Sequence, residues 1–338
     1  LRFSWLTPGY TLLANSHFPA SFGVYGSGFI LFLLGAISFC LPVPKRWYTL
    51  VTAFILLISG CYIPLAAKVS SQSSPTKLLH VAGIQLEFPP ELQVPDYLDS
   101  VFAHHPDADL FVLSEYAFEG PVPTRVRNWC KKHRKFLIAG GKKSVGEKGW
   151  YNTAFVIGPD GELLFEQAKS VPIQFFNDGL PAENQRIWNS PWGKIGICIC
   201  YDLSYRKVVD HLVEQGAQAL IVPFMDVTDW GGYQHRLHSL VPPVRAREYR
   251  IPIFRVGSSG ISQLINPSGT VIASAPFPGQ ESIIDGTIQL ADPGRLPLDH
   301  YIAPTCSFLL ALWYLVMLSI SVKEKIIKRP PPKRIAPL

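Results

Sequence analysis

Hydrophobic and polar positions follow two rhythms along this chain. Between residues 79 and 291 short apolar runs alternate with turn residues and amphipathic stretches; toward both ends the apolar runs are far longer. In the middle region Leu79–Gln85, Leu110–Leu113, Phe136–Ala139, Ala219–Pro223 and Ile253–Val256 read as buried strands. Thr153–Ile157 and Leu163–Gln167 flank Pro159-Asp160-Gly161, and Ser262–Ile265 and Thr270–Ala273 flank Asn266-Pro267-Ser268-Gly269, so each pair predicts a hairpin. Tyr97–His105 and Arg125–Arg134 predict helices, and Tyr233–Arg250 predicts one that must kink or restart at Pro242-Pro243. No internal repeat is evident. Strand–helix alternation mixed with hairpins implies an α/β fold, mixed sheets covered by helices around one core.

One stretch organises the rest. Lys194–Ile199 predicts a buried strand entered through Pro191-Trp192-Gly193, and polarity changes abruptly at Cys200, Tyr201, Asp202 and Ser204. A helix then follows with Val208, Val209, Leu212 and Val213 on its apolar face. A thiol at such a strand-to-helix turn sits near backbone N–H groups and the positive end of a helix dipole, an environment expected to lower its pKa. Cys198, inside the strand, reads as a buried structural cysteine.

The long runs change the picture at both ends. Phe22–Leu41, Trp47–Ala67 and Ile302–Val322 each give about twenty residues without a charge, enough to cross a hydrocarbon core. The basic flanks Lys45-Arg46 and Lys323 to Arg334 are expected on the cytoplasmic side. The expected organisation is an interfacial segment and two spans over 1–67, a Ser-rich linker over 68–78, a catalytic domain over 79–291, a span over 302–322 and a basic tail over 323–338. That topology makes a multi-pass protein of the inner (plasma) membrane with its domain on the periplasmic side. The chain starts at Leu1, not Met, so upstream spans are expected to be missing, and no signal peptide is visible.

Composition refines this. Over 338 residues, 48% apolar, the net charge is +6. The cytoplasmic tail accounts for most of that charge, so no nucleic-acid surface is implied. Of six cysteines, only Cys130, Cys198 and Cys200 fall in the domain, without a CxxC pair or zinc spacing, and no cofactor or metal is expected. His235 and His238 lie one helical turn apart with no acidic or thiol ligand at metal spacing, which favours a packing or supporting role. Phe175-Phe176 fits core packing or a membrane-dipping lid.

Three polar residues stand at predicted strand ends: Glu115, Lys169 and Cys200. Together they make a usable set of thiol nucleophile, carboxylate base and ammonium to hold an oxyanion. With this order the domain resembles the nitrilase, or carbon–nitrogen hydrolase, superfamily. The likeness runs through Val81-Ala82-Gly83-Ile84-Gln85, Leu113-Ser114-Glu115, Ala168-Lys169, Gly196 to Asp202, Arg245-Ala246-Arg247-Glu248 and Ser258-Ser259-Gly260. It implies an αββα sandwich, with Glu115 as general base, Lys169 as oxyanion stabiliser, Cys200 as nucleophile and the Tyr201 N–H as a second oxyanion donor.

Within the superfamily, Pro8-Gly9-Tyr10, Phe22 to Gly26, Asp229-Trp230-Gly231 and the C-terminal span are similar to the apolipoprotein N-acyltransferase family. This resemblance implies transfer of a fatty acyl chain from a phospholipid donor to a lipoprotein acceptor. It also implies a further acid after the lysine, for which Asp178 and Glu183 are the candidates. Asp202 stands where that family tends to have Glu. A membrane-anchored hydrolase of a small amide and a catalytically idle scaffold are the competing readings.

Overall fold

The computed structural model describes residues 18–40, 77–174 and 176–327. The expected second span Trp47–Ala67, most of the linker, Phe175 and the end of the basic tail lie outside them.

Among the described residues, twelve strands form two six-stranded sheets. The first contains β1 (Lys77–Ile84), β2 (Leu110–Val112), β3 (Phe136–Ser144), β4 (Trp150–Ile157), β5 (Leu163–Ala168) and β12 (Ile283–Leu290), in the order β12-β1-β2-β3-β4-β5. The second contains β6 (Ile187–Ser190), β7 (Gly193–Ile197), β8 (Ala219–Pro223), β9 (Ile253–Val256), β10 (Gln263–Ile265) and β11 (Val271–Ser274), in the order β11-β10-β9-β8-β7-β6. In each, three successive parallel strands are extended by two antiparallel ones on one side and one on the other. The sequence shows no repeat, yet both halves have the same plan. β6 and β12 are additions to the expected strands.

The sheets face each other. Leu79, Val81, Leu110, Val112 and Val156 of the first meet Ile195, Ile197, Ile221, Phe254 and Val256 of the second in one buried cluster. Helices cover both outer faces. Leu98 and Val101 of α2 (Val94–His104) and Val126 and Trp129 of α3 (Thr124–His133) pack on the first sheet. Val208, Val209, Leu212 and Val213 of α4 (Arg206–Glu214) pack on the second, as their spacing predicts. The result is the αββα sandwich.

The expected helix over 233–250 is two: α5 (Gly231–Ser239) and α6 (Val241–Tyr249). Pro242-Pro243 occupies the first turn of α6, where a missing N–H costs no intrahelical bond, so the chain restarts there. The N-terminal apolar run forms α1 (Phe18–Cys40), broken at Gly23, whose φ of 73° lies in the left-handed region. Val24 of α1 is buried against α6, and its N–H donates to Glu248 Oε1 at 2.8 Å. Its apolar stretch Ala20–Leu33 is shorter than a full crossing. The C-terminal unit is the helix α7 (Asp299–Ile327). Among the described residues, only its stretch Asp299–Ser321 is both long and apolar enough to cross a bilayer.

Candidate active site

Glu115 follows β2 in a tight turn in which Tyr116 adopts φ 56°. The turn lies so close to β3 that a Cβ on Gly140 would stand 2.6 Å from the Glu115 Cα, so only glycine fits there. Lys169 directly follows β5. Both side chains are fully buried, with Lys169 Nζ 2.8 Å from Glu115 Oε1. Asp178 is the second carboxylate on the same ammonium, 2.7 Å away, and also accepts from Tyr116 Oη and from the Ile173 N–H at 2.8 Å. Asn152, on β4, donates to both acids, at 2.6 Å to Glu115 and 2.8 Å to Asp178. The other oxygen of Glu115 takes the Met225 N–H at 2.8 Å.

Cys200 reaches the same place from the second sheet. Its φ of 50° makes it a non-glycine residue in the left-handed region, opening a 3₁₀ turn, Cys200–Ser204, ahead of α4. Regular strand alternation would put Cys198 and Cys200 on one face. The left-handed turn separates them: Cys198 packs under the helices, while Cys200 joins the layer between the sheets. Its sulfur lies 3.8 Å from the Met225 carbonyl oxygen, so one residue after β8 touches both the thiol and Glu115.

The thiol is not the lowered one that the turn predicts. Burial pushes the Cys200 pKa well above its ordinary value, Glu115 pushes it further, and Lys169 only partly offsets them. The helix dipole has little reach here because a 3₁₀ turn separates the thiol from α4. Burial likewise raises Glu115, against the pull of Lys169. Lys169 loses to burial but gains more from Glu115, Cys200 and Asp178, so it stays firmly protonated. Burial opposes ionisation of Asp178, yet Lys169 holds it below the usual carboxylate range. The resting site thus pairs a neutral thiol with a carboxylate of raised proton affinity and a fixed cation, a set suited to moving the thiol proton during attack.

The remaining candidates separate. Asp202 is fully buried and feels the Lys169 charge, but its hydrogen bonds go elsewhere: it accepts from the N–H groups of Ser170 (3.1 Å), Val171 (2.8 Å) and Ile199 (3.3 Å). It ties the segment after Lys169 to the Cys200 turn, and burial raises its pKa to about 6. Tyr201 is buried in the same turn, its ring 4.9 Å from that of Tyr205. Glu183 is exposed and makes none of the contacts of the cluster, so Asp178 is the acid beside Lys169. The histidines do have an acid: Asp226, adjacent to Met225, takes His238 Nδ1 at 2.8 Å, and His235 stacks on Phe277 at 3.8 Å. Phe176 is not core; it is 58% exposed, against Trp230. Asn152 and the Met225 backbone were not singled out from sequence. A buried Asn inside the apolar run of β4 is the legible signal for the first; nothing marks the second.

Residues 65–297 match the carbon–nitrogen hydrolase family. The chain belongs to that family. Omega-amidase NIT2-B of Xenopus laevis is 27% identical over 177 residues, covering 46% of this chain and 62% of that relative, under two thirds of its length. An apolipoprotein N-acyltransferase of Geobacter metallireducens is 22% identical, covering 86% of this chain and 65% of that relative. Among solved structures, Nit3 of Saccharomyces cerevisiae superposes with a TM-score of 0.52 at 22% identity, covering 64% of this chain and 91% of Nit3. A carbon–nitrogen hydrolase of Helicobacter pylori gives 0.55 at 17%, covering 63% and 90%. These likenesses bear on the fold.

Proposed function

We propose that this chain is a membrane-anchored acyltransferase that carries a fatty acyl group, as a thioester on Cys200, from a phospholipid to the N-terminal amine of a lipoprotein. The observation that carries the reading is the reach of the Geobacter acyltransferase match. It covers 86% of the chain, more than the family region 65–297, and so extends into the apolar flanks. The amidase match covers 46%. The apolar α7 and the basic flanks support an inner-membrane location with the domain on the periplasmic side.

In this mechanism Cys200 Sγ attacks the donor's ester carbonyl as its proton passes to Glu115. The Lys169 ammonium and the Tyr201 N–H hold the oxyanion. Collapse expels the lysophospholipid alkoxide, which takes the proton back from Glu115, leaving the thioester. The amine then attacks, Glu115 accepts its proton, and breakdown returns that proton to the sulfur and leaves the amide. Asp178 and Asn152 keep Lys169 and Glu115 in place.

A second reading, hydrolysis of a small amide with water resolving the thioester, is favoured by the omega-amidase relatives. Intact-protein mass spectrometry after incubation with phospholipid discriminates. The expected result is an acyl-sized adduct that hydroxylamine releases and Cys200→Ala abolishes. No adduct with lipid, but ammonia released from small amides, would leave only the hydrolase.

A further inference from the structure

At the opposite ends of the central strands of the second sheet lies a cavity of about 400 Å³ that the proposed chemistry does not use. Gln218 and Pro252 on its wall immediately precede β8 and β9, whereas Cys200 and Met225 follow β7 and β8. The five residues of β8 separate the two ends by about 16 Å. Three arginines line the cavity, Arg247, Arg250 and Arg295, against one acidic residue, Asp292. Among the described residues neither Arg250 nor Arg295 is ion-paired. Arg250 spends one donor, at 3.4 Å, on the Ala20 carbonyl. Arg247 donates to the Ser268 carbonyl at 2.9 Å, and burial lowers its pKa. The volume is that of a small-molecule site. Guanidinium groups gathered in a recess favour a bidentate oxyanion, and the excess of two positive charges sets its sign.

We propose that this cavity binds a phosphate group, carried on a phospholipid headgroup or on a soluble phosphate compound. The first turn of α1 supplies Ala20 and Ser21 to its wall. Exposed apolar side chains of that helix begin at Tyr25, just past the break at Gly23. The headgroup source therefore rests on the reading that α1 enters a bilayer; phosphate binding itself does not.

The test is calorimetric titration of the full chain in neutral detergent, once with inorganic phosphate and once with dihexanoyl phosphatidic acid. Arg250 caps α6 at φ 57°, so Arg250→Gly removes the guanidinium while suiting the backbone; Arg295→Glu reverses an exposed charge. Arg134→Gly is the matched control, at φ 54° at the end of α3. Wild type and Arg134→Gly should bind at least one probe, and both cavity variants should lose at least about tenfold in affinity. Binding of inorganic phosphate would point to a soluble ligand, and binding of the lipid alone to a headgroup. Absence of binding by either probe, or equal affinity in all four proteins, would overturn the proposal. Acyl-adduct formation or small-amide turnover should be unchanged in the variants, so failure here is distinguishable from failure of the catalytic reading.

Discussion

Glu115 raises the proton affinity of Cys200, because two acids buried side by side cannot both ionise cheaply. Glu115→Gln removes that repulsion. Alkylation of Cys200 by iodoacetamide should then titrate at lower pH than in wild type, while turnover falls by about 10²–10⁴ because no base remains. A variant with an unchanged alkylation profile and full turnover would remove Glu115 from the proton path. Asp202 gives a second test. Burial lifts its pKa to about 6, so the native chain holds this proton more tightly than the unfolded chain does. Its effect on stability is nil below about pH 4, grows unfavourable as pH rises toward 6, and stays so above, by about 3 kcal/mol. Urea denaturation of wild type relative to Asp202→Asn should show that loss between pH 4 and 7, and a flat difference would contradict it. At this scale Glu115, Lys169 and Cys200 stand out in the sequence because each falls at the end of a predicted strand. The thiol's environment does not, because its left-handed turn and the approach of Glu115 from the other sheet are long-range consequences of packing.

Among the elements, α6 has a role its sequence only hints at. Arg245 donates to the carbonyls of Leu203 (3.0 Å) and Ser204 (2.7 Å) in the Cys200 turn, and to Glu248, which holds Val24 of α1. All of this is buried. Replacing Arg245 by Met leaves the Glu248 charge without its cation, and chemical denaturation should show a loss of about 3–5 kcal/mol. Arg245→Met combined with Glu248→Gln should lose less than the sum of the single changes. Central strands such as β8 and β9 were legible to the residue, β8 as a continuous apolar run and β9 as an apolar run broken only by the buried Arg255. The edge strands β6 and β12 were not. Asn189 breaks the first, and Asp285-Gly286 breaks the second, where Gly286 sits at φ 157°. Ladder pairing to β7 and β1 supplies what their own patterns lack.

For the whole molecule, the layered fold follows from alternating periods, whereas the matching order of the two sheets leaves no trace in the sequence. Residue identities on each face answer to different neighbours, so the same strand plan is written twice in unrelated letters. The bond from Val24 to Glu248 gives that architecture a further consequence. The peptide N–H exposed by the break at Gly23 completes the coordination of a carboxylate whose other oxygen holds Arg245, two contacts away from the Cys200 turn. The apolar helix is thus a structural plug for the sandwich. A domain clipped free by a protease upstream of Lys77 would carry an open socket at α6, and its thiol would rest on a loosened footing.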